Sequence, residues 1–342
     1  MMRIRSTRFL LFCLLLLALP ARAQRVAPAR VDTANFESKL VGQALPYHVV
    51  LPPDYDAAKE RATHYPVLYL LHGLAGSHDD WVSNRAHLVE HAAQYRIIIV
   101  TPEGHDGWYT DSATVPNEKY ESYIVQELLP DVERRYRTIA TREGRAIAGL
   151  SMGGYGALKF GVKYPDKFIF AASMSGAHGA PRWDAKDKEL IDFVKPSIAR
   201  VYGAMDNPVR PANDLFKLFD ELPAERIAQL PFLYLDCGTE DFLIDSNRAL
   251  DELLLKRKIP HEFRESPGAH TWPYWDNQVQ EILRIAARRL AAPQTSAATN
   301  MPSVTFFTSL SFAPLREIIL QRAFTFYTSQ QTKQQAIYAR SY

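Results

Sequence analysis

One serine of the chain stands among glycines in a pattern that is typical of an enzyme nucleophile. Residues 149–154 read GLSMGG, so Ser151 occupies the centre of the spacing G-x-S-x-G. An apolar run, residues 145–150, precedes the serine, and a helical pattern follows it. A strand, a sharp turn and a helix in this order expose a serine hydroxyl at the end of the strand, and the glycines avoid collisions with neighbouring elements. The spacing therefore predicts that Ser151 is a nucleophile.

A nucleophilic serine needs a base that takes its proton and a carboxylate that orients the base. When the serine lies in a strand–turn–helix context, the partners follow it in the order Asp or Glu, then His. His270 comes directly after Gly268 and Ala269, in a predicted loop between a strand and the last helix. We therefore expect His270 to be the base.

The orienting acid has four candidates, all at or after the end of one predicted strand: Asp236, Glu240, Asp241 and Asp245. Asp236 is the last residue of that strand, where an alternative role is to bond the backbone of the following turn. Asp241 lies in the loop itself, which is the expected position of the acid. We therefore choose Asp241 over Asp236.

Attack on an acyl carbon also requires N–H donors for the negatively charged oxygen that forms. In this context one donor is the backbone N–H of the residue after the nucleophile, here Met152, and the other lies in a loop after an earlier strand. Residues 70–76, LLHGLAG, form such a loop directly after the most apolar predicted strand. Leu74 supplies the second candidate N–H, and His72 is expected to brace the loop.

The elements that must position these residues alternate between short apolar strands and amphipathic helices. The predicted strands are 46–52, 65–73, 96–102, 145–150, 168–174, 231–238 and 261–266. The predicted helices are 120–136, 246–258 with Ser246 as its N-cap, and 274–291. Strand 65–73 is almost wholly apolar, as expected of a central strand that is covered on both faces. This alternation predicts one α/β domain with a mostly parallel sheet, and helices and loops over residues 179–228.

Composition and charge exclude several classes of protein. Of the 342 residues, 47% are hydrophobic and 23% are charged, which is ordinary for a globular protein. The formal net charge is +2 and the basic residues are scattered, so we expect no nucleic-acid partner. The two cysteines, Cys13 and Cys237, are too few for a cysteine-rich zinc site, and Cys13 lies in a predicted leader. We expect no metal and no cofactor.

The two ends of the chain differ from the middle. Residues 1–23 combine a basic start, an apolar run over 9–19 and a small-x-small pattern, Ala-Arg-Ala, at 21–23. This is the layout of a secretory signal peptide, and its apolar run is shorter than the ~20 residues that span a bilayer. We expect cleavage, a secreted or periplasmic protein, and no stable membrane span afterwards. Residues 24–292 form the predicted domain, and residues 293–342 a weakly ordered C-terminal extension.

Five segments within residues 44–290 together resemble the putative esterase (esterase D) family of α/β-hydrolases. They are LLHGLAGSHDDW, YESYIVQELLPDVERRYRT, AGLSMGGYGAL, DCGTEDFL and PGAHTWPYW. That family includes secreted feruloyl and acetylxylan esterases, S-formylglutathione hydrolases and mycolyltransferases. The resemblance implies the α/β-hydrolase fold, with a mostly parallel central sheet and helices on both faces. It implies the same nucleophile, base and N–H donors as the spacing, and it supports Asp241 as the acid.

Aromatic residues near the predicted site are candidates for substrate binding. The segment GWYTDS matches a family segment near the acyl or alcohol pocket, so the resemblance implies substrate-binding roles for Trp108, Tyr109 and Asp111. Trp272, two residues after the predicted base, is expected to provide a wall for an aromatic acyl group or a sugar. Packing in the core is the alternative for these aromatic residues.

These observations predict a secreted serine carboxylesterase that hydrolyses acyl esters through an acyl-serine intermediate. The predicted signal peptide favours carbohydrate-linked acetyl or feruloyl esters over S-formylglutathione, and a small soluble ester is also open because no carbohydrate-binding module is visible. Two further hypotheses are a mycolyl-type acyltransferase, which passes the acyl group to a sugar, and a non-catalytic binding protein on the same fold. The complete set of candidate catalytic residues argues against the last. No pattern in the sequence identifies the acyl group, the alcohol or the oligomeric state.

Overall fold

The structure, a computed structural model, describes residues 29–83 and 85–295 of the chain. The predicted signal peptide, residues 1–23, lies outside the described residues, and so does the predicted C-terminal extension after its first residues, 293–295. Within the described ranges, strands and helices alternate along the chain as the sequence predicts.

The bounds of the elements are as follows. The strands of the described residues are β1 (Arg30–Ser38), β2 (Gln43–Leu51), β3 (Thr63–His64), β4 (Val67–Leu71), β5 (Ile98–Pro102), β6 (Arg145–Leu150), β7 (Phe170–Met174), β8 (Phe232–Gly238), β9 (His261–Ser266) and β10 (Gln294–Thr295). Their α-helices are α1 (Leu88–Ala92), α2 (Tyr120–Ser122), α3 (Leu129–Arg135), α4 (Met152–Lys163), α5 (Lys195–Tyr202), α6 (Val209–Asn213), α7 (Leu215–Asp220), α8 (Ala224–Ile227), α9 (Ile244–Lys256) and α10 (Trp272–Arg289). A π-helical segment, Tyr123–Leu128, joins α2 to α3.

Eight of these strands form one sheet in the order β1-β2-β5-β4-β6-β7-β8-β9, and β10 pairs separately with β3. The pairs β1–β2 and β2–β5 are antiparallel, and all the pairs from β5 to β9 are parallel. The carboxyl ends of the parallel strands therefore share one edge of the sheet. Ligands of open α/β sheets bind outside this edge.

Helices cover both faces of the sheet, and the side chains of a strand point to the two faces alternately. Along β4, Val67, Tyr69 and Leu71 pack in one hydrophobic cluster, which also holds residues of α4 and α9. Leu68 and Leu70 pack in the other cluster, with residues of α1 and α10. All five residues are fully buried, which explains the continuous apolar sequence of this strand. The expectation of an α/β-hydrolase fold is confirmed.

Three details differ from the sequence-based expectations. The predicted helix 120–136 contains the π-helical segment Tyr123–Leu128. This segment was not predicted, because apolar residues at intervals of four do not distinguish a π-helical turn from an α-helical one. The predicted helix 246–258 begins at Ile244 instead, and Ser246 is not its N-cap, because the Asp241 side chain already accepts the backbone N–H of Leu243 at 2.9 Å. Strand β1 was not predicted, since most of its residues are polar and it contains no apolar run.

The chain between β7 and β8 forms helices and loops, as predicted for residues 179–228. A short 3-10 turn, Ala180–Arg182, comes first, and α5, α6, α7 and α8 follow. Among the helices of the described residues, none combines the length and the apolar composition that crossing a membrane requires.

Candidate active site

Ser151 lies at the junction of β6 and α4 in a backbone conformation that few side-chain-bearing residues adopt. Its φ is 53° and its ψ is −116°, which is a strained region for an L-residue. Backbone hydrogen bonds hold it there, including one from the N–H of Tyr155 to the Ser151 carbonyl at 3.0 Å. The Ser151 N–H donates to the carbonyl of Met174 at 2.8 Å, and the N–H of Ala177 donates to the Ser151 carbonyl at 3.1 Å. The turn presents the serine side chain to a cavity at the carboxyl edge of the sheet.

The glycines around Ser151 let α4 pack against the ends of two strands. A Cβ atom on Gly153 would lie 2.6 Å from the carbonyl oxygens of Leu71 and His72, and a Cβ atom on Gly149 would lie 2.5 Å from the backbone of Gly153. Backbone atoms cannot yield as the end of a flexible side chain does. A larger residue at either position would therefore push α4 away from the sheet and displace Ser151.

Ser151, His270 and Asp241 form a continuous hydrogen-bonded chain. The Oγ of Ser151 lies 3.0 Å from Nε2 of His270, and Nδ1 of His270 lies 2.9 Å from Oδ2 of Asp241 and 3.1 Å from Oδ1. Because an ionised carboxylate can only accept, Nδ1 carries the proton and the Nε2 lone pair faces the serine hydroxyl. The three residues follow β6, β8 and β9, whose carboxyl ends meet at one edge.

The environment of Asp241 keeps its carboxylate charged. The residue is buried, with 2% of its surface exposed. Burial by itself raises the pKa of the Asp241 carboxyl, but the hydrogen bond and charge of His270 and the N–H of Leu243 outweigh it and lower that pKa below its usual value.

The competing acid, Asp236, lies in a different environment. It is fully buried near the end of β8, and one of its oxygens accepts a hydrogen bond from the hydroxyl of Tyr274 at 3.2 Å. Burial raises the pKa of the Asp236 carboxyl well above its usual value. The hydrogen-bond partner of His270 is Asp241 rather than Asp236.

The loop after β4 lies beside Ser151 and is held by several hydrogen bonds. Gly73 and Leu74 line the same cavity as the serine. The hydroxyl of Tyr109 donates to the carbonyl of His72 at 3.1 Å, and Nδ1 of His72 donates to the carbonyl of Gly73 at 2.8 Å. The N–H of Ala75 donates to a carboxylate oxygen in the next loop, 2.8 Å away. These contacts fix the direction of the loop backbone.

The N–H groups of Leu74 and Met152 belong to the two segments that flank Ser151. Leu74 follows β4, and Met152 is the first residue of α4, where helix N–H groups have no acceptor within the helix. Within the described part of the chain, neither of these two N–H groups donates to a protein acceptor. Both are therefore available to an oxygen atom next to the serine.

A cavity of about 550 Å³ opens beside Ser151 and has mostly apolar walls. This volume lies within the range of about 300–1,000 Å³ that is usual for small-molecule sites. Its large apolar residues are Trp108, Trp183, Leu190, Ile191, Phe193, Phe242, Trp272 and Trp275. Phe193 and Phe242 are 63% and 62% exposed, so the mouth of the cavity is apolar as well as its interior.

The structure brings two of the four predicted substrate-binding residues to this cavity. Trp108 and Trp272 line it, whereas Tyr109 and Asp111 do not. Tyr109 is fully buried, and its hydroxyl bonds the loop after β4. Asp111 accepts hydrogen bonds from the backbone N–H and the hydroxyl of Ser122, at 2.9 and 2.6 Å. Tyr109 thus bonds the loop after β4 and Asp111 bonds α2, and a role in substrate binding stays a prediction for both.

The sequence analysis missed one wall of the cavity. Trp183, Ile191 and Phe193 come from the segment before α5, and Phe242 follows the predicted acid. The ring of Phe242 lies 4.7 Å from the ring of His270, measured between centroids. The sequence holds one signal for this wall, which is the group of apolar residues within the otherwise charged segment DAKDKELIDFVK.

Comparison with known proteins places the chain among esterases. Residues 38–208 match the family model described as "Putative esterase". An acetyl esterase of Caldicellulosiruptor saccharolyticus is 29% identical over 255 residues, which are 72% of this chain and 93% of that protein. Esterase MT1326 of Mycobacterium tuberculosis (strain CDC 1551 / Oshkosh) is 32% identical over 262 residues, which are 70% of this chain and 55% of that protein, so the chain spans about half of its length.

A solved structure agrees with the sequence relatives. A ferulic acid esterase superposes with a TM-score of 0.65 at 30% identity, and the match covers 77% of this chain and 99% of that one. The fold, the strained serine and the matched family lead to one conclusion: the chain belongs to the putative esterase family of α/β-hydrolases and is a serine hydrolase of carboxylic esters.

Proposed function

We propose that this protein is a secreted esterase that uses Ser151, His270 and Asp241 as its catalytic residues and releases acetyl or feruloyl groups from carbohydrate. The observation that carries the proposed roles is the position of His270, whose ring joins the serine hydroxyl to the carboxylate. A serine nucleophile requires this arrangement, because a free hydroxyl is nearly unreactive at neutral pH.

In the first half of the reaction, Nε2 of His270 accepts the proton of the Ser151 hydroxyl while Oγ bonds to the acyl carbon. The electron pair of the carbonyl moves to its oxygen, which the N–H groups of Leu74 and Met152 stabilise. When the carbonyl re-forms, the bond to the alcohol oxygen breaks, and His270 returns the proton to that oxygen. The products of this half are the free alcohol and an acyl-serine.

In the second half, water takes the place of the alcohol. His270 accepts a proton from the water as its oxygen bonds to the acyl carbon, and the electron pair again moves to the carbonyl oxygen. The bond to Oγ then breaks, and the proton on His270 returns to Ser151. The charged Asp241 stabilises the imidazolium in both halves. Each oxyanion donor typically contributes about 3 kcal/mol to the stability of the transition state.

The substrate class is supported by the walls of the cavity and by the relatives. The indoles of Trp183 and Trp272 are partly exposed and offer flat apolar surfaces for an aromatic acyl group or a sugar ring, beside the buried Trp108. The similar proteins include an acetyl esterase and a ferulic acid esterase. Secretion is supported by the pattern of residues 1–23.

An activity panel on the purified mature protein tests the proposal. The substrates are p-nitrophenyl acetate, methyl ferulate, acetylated xylan and S-formylglutathione, with Ser151→Ala as the control for contaminating esterases. We expect the highest kcat/KM on the acetyl or feruloyl esters and free acid as the main product. Preference for S-formylglutathione would overturn the substrate class, and acylated sugar as the main product would indicate an acyltransferase.

A further inference from the structure

Away from the active site, His48, His78 and Asp79 bring three potential metal ligands together. Nε2 of His48 lies 2.6 Å from Oδ1 of Asp79, and Nε2 of His78 lies 3.5 Å from the same oxygen. The three ligand atoms all lie within 4.8 Å of one another. Tetrahedral zinc, with bonds of about 2.0–2.2 Å, needs ligand atoms roughly 3.3 Å apart, so the three atoms lie near the required spacing, and the Asp79 side chain is exposed and can adjust.

Both imidazoles are oriented by hydrogen bonds on their far side. Nδ1 of His48 lies 2.9 Å from Oγ1 of Thr33, and Nδ1 of His78 lies 2.9 Å from Oε2 of Glu103. The backbone of His78 is fixed as well, since its N–H donates to Glu103 at 3.2 Å and its carbonyl accepts from the hydroxyl of Thr101 at 2.8 Å. Partners of this kind hold the ring and the tautomer of histidine ligands in metal sites.

The hydrogen bonds of His78 leave an electrostatic conflict that a cation resolves. The Glu103 carboxylate can only accept, so Nδ1 of His78 must donate to it. In a neutral imidazole the lone pair is then on Nε2, which faces the Asp79 carboxylate at 3.5 Å. Two electron-rich groups face each other in this arrangement. A metal ion between the two groups removes the conflict.

A second histidine–carboxylate cluster, His87, His91 and Asp276, has no such conflict. Nδ1 of His87 lies 2.7 Å from one oxygen of Asp276, and Nε2 of His91 lies 3.2 Å from the other. Each imidazole can donate an N–H to its own oxygen, which completes the hydrogen bonding without an ion. The His87 side chain is also 66% exposed. This cluster is therefore a matched control.

We propose that His48, His78 and Asp79 bind one divalent transition-metal ion, for which Zn²⁺ is the best match to two imidazoles and a carboxylate. On binding, His48 changes tautomer, so that its Nδ1–H donates to the Thr33 hydroxyl and its Nε2 bonds the ion. Water completes the coordination on the exposed side. The ion links β2 to the segment after β4 that also carries Leu74. No metal was expected from the sequence, because the two cysteines are too few for a cysteine-rich zinc site.

Calorimetric titration of the chelator-treated full chain with ZnCl₂ at neutral pH tests the site. We expect one ion per chain in the unmodified protein and in the double variant His87→Gln/His91→Gln. Asp79→Asn preserves an acceptor for His48 at a position that is 63% exposed, so the fold is retained, and we expect affinity to fall by on the order of 100-fold or more.

Diffraction at the zinc absorption edge locates the ion independently. An anomalous peak between His48, His78 and Asp79 supports the proposal. Unchanged affinity in Asp79→Asn, or binding that is lost only in the double variant, would overturn it. Absence of binding at millimolar ZnCl₂ would also overturn it.

Discussion

The carboxylate of Asp241 lies against the Nδ1 edge of the His270 imidazole, 2.9 Å away at Oδ2 and 3.1 Å away at Oδ1. Both oxygens share the one N–H, so the ring cannot rotate without losing the contact. The opposite nitrogen is then held 3.0 Å from the Ser151 hydroxyl. This relationship makes the identity of the acid directly testable.

Asp241→Asn is expected to lower kcat by about 10⁴, because an amide can present its N–H to the histidine and favour the wrong tautomer. Asp236→Asn is expected to leave kcat within about tenfold, because the carboxylate bonded to His270 is that of Asp241 and an amide oxygen at position 236 can still accept from Tyr274. Steady-state kinetics with p-nitrophenyl acetate measure both variants. The reverse ranking would show that Asp236 is the acid.

Ser151→Ala is expected to lower kcat by about 10⁶, because the hydroxyl that forms the acyl intermediate is absent. The thermal midpoint should stay close to that of the unmodified protein, since the backbone conformation is kept and the one side-chain hydrogen bond lost is that to the part-buried His270. Differential scanning calorimetry and ester turnover are measured on the same sample. Normal turnover by the variant would remove Ser151 from the mechanism.

Gly153→Ala is expected to lower the free energy of unfolding by about 1–3 kcal/mol and to reduce activity strongly. The added methyl group would lie 2.6 Å from the carbonyl oxygens of Leu71 and His72. Gly179→Ala is the matched control, because its nearest neighbour is a side-chain atom of Trp183 at 3.2 Å, which can move. Urea denaturation compares the two variants. Equal effects would contradict the close approach of α4 to β4.

Glu121→Gln is expected to destabilise the protein by about 3–5 kcal/mol at neutral pH, because it leaves a buried ammonium group without its counter-charge. Lys159 is fully buried in α4, with Nζ 3.0 Å from the Glu121 carboxylate. Burial lowers the pKa of Lys159 to about 8 even with the partner present. Chemical denaturation measures the difference. A loss below 1 kcal/mol would mean that water or another acceptor replaces the carboxylate.

The same carboxylate predicts a pH dependence of stability. Burial raises the pKa of Glu121, but the charges of Lys159 and Lys163 outweigh it and lower that pKa to about 2, from an ordinary value of 4.5. A carboxyl whose pKa is lowered by folding contributes stability above its unfolded pKa and loses it as pH falls. We therefore expect the free energy of unfolding to fall between pH 4.5 and 2, and to fall less steeply in Glu121→Gln. Parallel curves would contradict this assignment.

Trp272→Ala is expected to raise KM for methyl ferulate by about tenfold, because one aromatic contact is worth about 0.5–1.5 kcal/mol. KM for p-nitrophenyl acetate should change less, since its acyl group is a single methyl. Trp272→Phe keeps an aromatic ring beside Trp81 and Trp275 and should retain most of the affinity. Equal changes for both esters would assign Trp272 to packing rather than to the acyl group.

The positions of Ser151, Asp241 and His270 could be predicted because each depends on local pattern and chain order. The structure shows the hydrogen bonds that join the three side chains. Their catalytic roles stay predictions until the variants are measured. Parallel strands bring their carboxyl ends together, so loops far apart in sequence meet at one edge. Predicting which loops meet at this edge requires no knowledge of the directions of individual side chains.

The side-chain directions of Trp108 and Tyr109 could not be predicted from the sequence. Trp108 and Tyr109 both have positive φ angles, 50° and 47°. Two such residues in succession redirect the chain in a way that composition does not reveal, so Trp108 reaches the cavity and Tyr109 turns into the core. His48 and His78 were not connected for a related reason: they lie thirty positions apart, and only the pairing of β2 with β5 and the course of the loop after β4 bring them together.

Between β7 and β8 the chain leaves the sheet for residues 175–231 and returns to the adjacent strand. This excursion supplies Trp183, Ile191 and Phe193 to the cavity but none of the three proposed catalytic residues. Part of the wall that contacts the ester therefore belongs to a segment that holds no proposed catalytic residue. We expect that exchanging this segment between relatives changes the selectivity for esters, whereas the hydrolytic reaction is retained.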